Sequence, residues 1–280
     1  MRVSRDWVCR GGREFGPAPF LVAGIVNVTP DSFSDGGLWQ SPEAALGRCR
    51  ELVHEGAHLL DIGGESTRPG ADAVSPEEEF SRLREVAGVA CTIGVPIFVD
   101  TWRASTAAAA LEMGVHGIND ISGGTFDPAM AEVLGQYKPG YVLMHTPAPP
   151  KTMQAHARYD SVVDSVCFFF EENMARLVRA GLPENRIALD PGIGFGKSLE
   201  QNLEILRHIE KLHKFDRPLY IGVSRKTFLG ELLHAPINGR DMPTHMATAV
   251  LASRGVYVHR VHDVTGAGAA LCLASALGAL

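Results

Sequence analysis

The chain has little that would tie it to a membrane, an oxidising compartment or a nucleic acid. No apolar run in its 280 residues approaches the roughly 18 needed to span a bilayer. The opening MRVSRDWVCRGGREFG has no apolar stretch of the kind that marks a secretory leader. The five cysteines (Cys9, Cys49, Cys91, Cys167, Cys272) lie far apart, are odd in number and form no CxxC pair. That argues against a disulfide framework or a thiolate metal site and for idle thiols in a reducing compartment. The expected location is therefore the cytoplasm. Lys and Arg number 26 against 32 Asp and Glu, for a formal charge of -6 with no basic stripe, which excludes duplex nucleic acid as the natural partner. A small anionic ligand stays open, because local groups and not net charge decide it.

What the chain does have is apolar content, 45% hydrophobic against 21% charged, enough for a large core. Eight short apolar runs recur, expected as strands at 20–26, 58–62, 96–99, 116–118, 141–144, 186–189, 219–223 and 256–261. They are apolar on both faces, as buried parallel strands are. Each runs into a polar residue: Asn27, Asp61, Asp100, Asn119, His145, Asp190, Ser224, and Arg260 with His262. Helix signals fill the gaps. Ser41-Pro42 and Ser75-Pro76 each pair a cap with proline at the first helical position, and Glu78 is placed to close a capping box on Ser75. Further helices are expected over 106–113, from Asp127-Pro128, along the apolar face beginning at Val162, from Ser198 with Gln201, over 245–252 and over 264–280. Strand and helix alternating eight times predict a single-domain (β/α)8 TIM barrel over 19–280, preceded by a short N-terminal extension, 1–18. The last helix is small and apolar nearly all round (Ala267, Ala269, Ala270, Leu271, Ala274, Leu277). A helix facing water should have a polar side, so this one suggests a homodimer through the C-terminal helices.

In such a barrel the strand C-termini share one face, and chemistry sits there. Asp100, Asn119 and Asp190 can bind the edge of a flat heterocycle, carboxylates taking N–H donors and the amide both donating and accepting. The first loop, NVTPDSFSDGG from Asn27, mixes hydroxyls, carboxylates and an aromatic with glycines, suited to closing over a ligand. Arg68 in the second loop offers a planar fork for phosphate or carboxylate. DPGIGFGKS from Asp190 resembles two nucleotide motifs and fits neither: Pro191 stands where a P-loop needs glycine, and the third glycine of a dinucleotide fingerprint is missing. Its glycines instead predict close approach of backbone to a flat ligand on which Phe195 stacks. Arg225, Lys226, Arg260 and His262 gather cationic or potentially cationic groups where barrels usually bind anions.

Together NVTPDSFSDGG, ESTRPGA, LDPGIGFGK, SRK and RVHDV, in this order over about residues 24–263, resemble dihydropteroate synthases. The resemblance implies a (β/α)8 barrel that condenses 6-hydroxymethyl-7,8-dihydropterin diphosphate with 4-aminobenzoate and releases pyrophosphate, with Mg2+ as cofactor. Carried over motif by motif, it implies that Asn27 binds Mg2+ with the diphosphate. Asp100, Asn119 and Asp190 hold the pterin, with Lys226 packed on it, and Arg68, Arg260 and His262 hold the diphosphate. Thr67, Pro69, Phe195 and Ser224 form the aminobenzoate pocket, and Phe33 and Asp35 arrive with the first loop. Asp100, Lys226, Arg260 and His262 are then the catalytic set. The alternatives are a pterin-dependent methyltransferase, which has no use for the two long polar loops or for Arg260 and His262, and a non-catalytic pterin-binding paralogue. Two segments depart from the family pattern: Trp102-Arg103 stands where a small residue and Lys are usual, and Thr146–Pro150 replaces a Met-Gln-Gly run.

Overall fold

The computed structural model describes residues 6–16, 18–28, 41–68 and 70–280. Strands β1 (Trp7–Val8) and β2 (Glu14–Phe15) form a small antiparallel ribbon. The barrel strands follow as β3 (Leu21–Asn27), β4 (Leu59–Gly63), β5 (Ile97–Asp100), β6 (Gly117–Asp120), β7 (Gly140–Met144), β8 (Ile187–Asp190), β9 (Tyr220–Ile221) and β10 (Val258–Val261). They are parallel and run in ring order, with β10 against β3. A single bridge between Leu189 and Leu219 brings β8 to β9 and completes the circle. The helices are α1 (Pro42–His54), α2 (Pro76–Ala90), α3 (Ala104–Glu112), α4 (Met130–Tyr137), α5 (Val162–Arg179), α6 (Leu199–Arg207), α7 (Thr227–Leu233), α8 (Asp241–Ser253) and α9 (Val264–Ala276). The eight expected strands and the barrel are all present. Among the described residues no helix is long and apolar enough to cross a membrane.

Two helix details differ from expectation. The Ser198–Gln201 capping box forms, but at α2 only half a box does: the Ser75 hydroxyl accepts from Glu78 N, while the Glu78 carboxylate turns along the helix to Arg82. An arginine one turn away offers the carboxylate a charged partner that the cap backbone does not. Helix α7, absent from the sequence pattern, is a short segment between β9 and α8.

Period-two alternation explains how apolar strands build a polar site. The outward set, including Val22, Leu60, Ile62, Val99, Ile118 and Leu143, packs against the helices. The inward set begins apolar, with Leu21, Leu59, Phe98, Val142, Ala188, Tyr220 and Val258 in one cluster, and turns polar one step later. Pairing aligns Asn27, Gly63, Asp100 and Asn119 in one row across four strands. Phe98 fills the barrel so tightly that a Cβ on its neighbour Gly117 would sit 2.2 Å from the ring, so only glycine fits there.

The described part of the N-terminal stretch closes the opposite end. Trp7 stacks on Phe15 at 5.1 Å and packs at a tilt on Phe98 at 5.0 Å between ring centroids, and its indole N–H donates to the Arg186 carbonyl at 2.9 Å. Since Trp7 is fully buried, Trp7→Ala should lower the unfolding free energy by about 3–5 kcal/mol. The readout is a urea midpoint that falls with an unchanged slope; a loss below about 1 kcal/mol would make the ribbon an appendage and not a plug.

Candidate active site

At the C-terminal ends of the strands lies a cavity of about 420 Å³, the size of a small-molecule site. The described residues given a binding or catalytic role from the sequence line it, whereas the strand-end residues Asp61 and His145 do not. Asn27 comes from the end of β3, Thr67 and Arg68 from the β4–α2 loop, and Asp100, Asn119 and Asp190 from the tips of β5, β6 and β8. Phe195 follows β8, Ser224 and Lys226 follow β9, and Arg260 and His262 come from the end of β10. Phe33, Asp35 and Pro69 lie outside the described residues.

The floor is organised by one guanidinium. Arg260 donates through Nε to Asp61 and through its terminal nitrogen to Asp100 at 2.9 Å. Asp61, fully buried, also accepts from the Asn119 amide nitrogen at 2.9 Å. That bond orients the amide so that its oxygen is left over as an acceptor. The second oxygen of Asp100 and the amide oxygen of Asn119 are both buried without a partner. Burial holds the Asp100 carboxyl well above the usual carboxylate range; Arg260 opposes this and the Asp61 charge adds to it. Burial also works against the Arg260 charge, but Asp61 and Asp100 outweigh it and keep the group firmly protonated.

Lys226 and Phe195 form the side wall. The Lys226 ammonium lies 4.9 Å from the Phe195 ring centre and donates to the Ile193 carbonyl. Burial brings its pKa down to about 8, while the nearby Asp190 carboxylate holds it up. Two glycines of this loop have a role beyond the one expected. A Cβ on Gly192, whose φ is +70°, would sit 2.0 Å from the His145 carbonyl oxygen, and one on Gly196 would meet the Pro147 ring at 2.4 Å. For these two the close approach is to the neighbouring loop, while Gly194 between them lines the cavity. Lys197 holds the turn from inside, its ammonium donating to the carbonyls of Gly192 and Phe195 at 3.0 Å and of His145 at 3.3 Å. His145 itself packs its ring against Phe169 and Tyr159, outside the cavity lining.

His262 Nδ1 meets the Ser224 hydroxyl at 2.9 Å. Burial, with Arg225, Arg260, Arg68 and Arg48 around it, lowers the His262 pKa to about 3. His262 is thus neutral here, and the positive charge around it belongs to the arginines. Arg225 is itself held by Asp241, at 2.6 and 3.0 Å.

Comparison with known proteins agrees with this geometry. A family model described as pterin binding enzyme matches residues 23–262. The chain is 43% identical over 279 residues to the dihydropteroate synthase of Neisseria meningitidis serogroup B, covering 97% of this chain and 98% of that one. The chain belongs to the dihydropteroate synthase family of pterin-binding enzymes. The Yersinia pestis dihydropteroate synthase, solved with a sulfonamide drug, superposes with a TM-score of 0.93 at 38% identity, over 98% of this chain and 100% of that one. The Xanthomonas albilineans enzyme, solved with 4-aminobenzoic acid, gives 0.90 at 38% identity, over 99% of each chain. As a member of this family the protein is a transferase of the TIM-barrel class.

Dihydropteroate synthase motifs pointed to the cavity, but sequence reasoning gave no role to the strand-end Asp61, which holds Arg260 and Asn119, and left out Arg240 in the lining. Asp61 had a signal, a carboxylate inside a buried strand. Mg2+ finds only a partial site: among the described residues no group of three His, Cys, Asp or Glu is placed to hold a metal, and Asn27 contributes one amide oxygen to the wall. Such a donor suits a hard cation that keeps most of its waters and takes its other oxygens from phosphate. The His262 assignment is directly testable. Long-range 1H–15N NMR of the free protein should show a neutral ring from pH 8 down to pH 5; an imidazolium signal at pH 6, near the ordinary histidine pKa, would contradict it.

Proposed function

We propose that this chain condenses 6-hydroxymethyl-7,8-dihydropterin diphosphate with 4-aminobenzoate, giving 7,8-dihydropteroate and pyrophosphate, as a step of folate biosynthesis. One observation carries the reading: a single cavity holds unpartnered buried acceptors on Asp100 and Asn119 together with the cationic side chains of Arg68, Arg225, Lys226 and Arg260. Each orphaned oxygen costs about 1–3 kcal/mol until a donor meets it. The N–H edge of a pterin supplies such donors, and its diphosphate suits the cations. Methyl transfer to or from a pterin would leave those cations without a purpose.

In this reading Asp100, Asn119 and Asp190 hold the pterin edge, and Lys226 packs on the ring. Arg68, Arg260 and His262 receive the diphosphate. Thr67, Phe195 and Ser224, with Pro69 and Phe33 from outside the described residues, form the aminobenzoate side. Asn27 would hold Mg2+ together with the diphosphate, and the ion, when bound, supplies charge neutralisation to the leaving group. The bond between the pterin methylene carbon and the diphosphate oxygen breaks, and its electron pair leaves with the diphosphate. The amine lone pair then forms the new C–N bond and the amine proton passes to water. Asp100 stabilises the positive charge left on the pterin, and Arg260 and Arg68 stabilise the departing anion. The displacement is largely dissociative, and neither a covalent intermediate nor a strong base is needed.

Purified protein with both substrates and Mg2+ should release pyrophosphate, and Asp100→Ala and Lys226→Ala should each lose at least about 100-fold, the usual scale for a lost charge-stabilising group. Carbon–oxygen scission should persist when aminobenzoate is omitted. Full turnover by either variant overturns these roles, and strict dependence of scission on the amine overturns the dissociative path.

We further propose a homodimer through the C-terminal helices. Met242, Met246 and Val250 make an exposed stripe one turn apart along α8, and Leu273 and Leu277 continue it on α9, which packs beside α8. Apolar ridges of this kind are covered in stable proteins, and the same patch on a second copy covers it by two-fold symmetry. All five cysteines are free, which supports a reducing, cytoplasmic setting. Sedimentation at micromolar concentration should give a dimer, and Met246→Glu with Leu273→Glu a folded monomer; a wild-type monomer would refute the proposal.

A further inference from the structure

The loop between β4 and α2, residues 64–75, carries Thr67 and Arg68 to the cavity. Its two ends are tied by one side chain, because the Glu65 carboxylate accepts the Val74 backbone N–H at 2.8 Å. Beneath that tie sits Arg103, at the start of α3, which does not reach the cavity. Its guanidinium grips Glu65 with both forks, at 2.7 and 3.0 Å. The same group donates to the Val74 carbonyl at 2.7 Å and to Glu79 at 3.0 Å. Thr106 donates to the same Glu79 oxygen at 2.7 Å, and the Trp102 ring lies 4.2 Å from the guanidinium carbon. Arg103, Glu65 and Glu79 are all buried. A neighbouring loop adds a further tie, Gly70 N–H to the Pro150 carbonyl at 3.1 Å. The two segments that depart from the family pattern, Trp102-Arg103 and Thr146–Pro150, therefore converge on one loop.

We propose that Arg103 is a positioning residue: acting through Glu65 and Val74, it fixes the loop that presents Thr67 and Arg68 to the substrates, without touching them. The inference that this presentation serves aminobenzoate and diphosphate rests on the function proposed above. The planar fork is essential to the device. Four bonds leave Arg103 in directions that only a guanidinium offers at once, whereas a lysine ammonium is a single point charge with three donors. With lysine there, either the Glu65 pair or the Val74 carbonyl loses its donor. Buried charges without partners are expensive, so the loop is expected to lift Glu65 toward water and take Thr67 and Arg68 with it.

The test combines kinetics with hydrogen exchange. Arg103→Lys should lower kcat/KM for both substrates about 10-fold, mostly through KM. In an Arg68→Ala background the same change should cost less than 2-fold, because the loop no longer has its cation to present. Equal losses in the two backgrounds, or no loss at all, overturn the proposal. Glu65→Gln tests it without substrate and guards against a variant that fails to fold: exchange should quicken at least 10-fold at amides 66–74 and stay unchanged in the barrel strands. Unchanged exchange in that loop, or quickening spread over the whole barrel, overturns it. If Glu65→Gln shows the exchange pattern while the wild-type protein turns over neither substrate, the proposed reaction is refuted and the loop-fixing role stands.

Discussion

A guanidinium shared between two buried carboxylates is the constraint on which the site depends. Arg260 reaches Asp61 on one side and Asp100 on the other, joining β10 to β4 and β5 across the inside of the barrel. Removing any one of the three would leave uncompensated charge in a place without water, which is far costlier than removing the set together. Asp61 also fixes the Asn119 amide, so the same ion pair determines which face of that amide a ligand meets. The floor of the site is thus preorganised by charge balance.

The barrel makes such a network possible because it separates two tasks along each strand. Outward positions pack against helices, and inward positions are apolar at the ribbon end and polar at the cavity end. Trp7 and Phe98 fill the lower barrel, so the polar row at Asn27, Asp100 and Asn119 rests on a solid layer instead of a water channel. Rigidity beneath the row is what lets buried acceptors remain unpartnered and still hold their aim.

Much of this was legible in the sequence because strand ends are local features. A polar residue closing an apolar run says that an inward position has turned functional, and Asn27, Asp100, Asn119, Asp190 and Arg260 all obeyed that rule. What stayed hidden depends on long-range pairing. Asp61 looked like another strand end, because its partner Arg260 is 199 residues away. The glycines after Asp190 suggested room for a ligand; at Gly192 the room also serves a carbonyl on the preceding loop, at His145, which only the fold brings near. Histidine charge stayed open for the same reason: the formula of His262 permits a cation, and its burial with the arginines around it disfavours one.

The arrangement of charge also accounts for the lack of any obvious nucleophile or strong base. Around the floor, the Asp61 and Asp100 carboxyls share one Arg260, and Asp190 lies near Lys226, so carboxyl groups outnumber cationic side chains at the ring-binding side. Elsewhere in the lining, Arg68 and Arg225, the latter paired with Asp241, stand with a neutral His262, so cationic side chains predominate there. A carbon–oxygen bond lying along that gradient, as in the proposed reaction, has its electron pair drawn toward the cations while the carbon end rests against carboxylates. Fixed dipoles and charges of this kind need no reorganisation when the bond breaks. Heterolysis can then proceed by field and position alone, and the arylamine needs only to be held in line with the carbon, which places the remaining demand on the loop that carries Thr67 and Arg68.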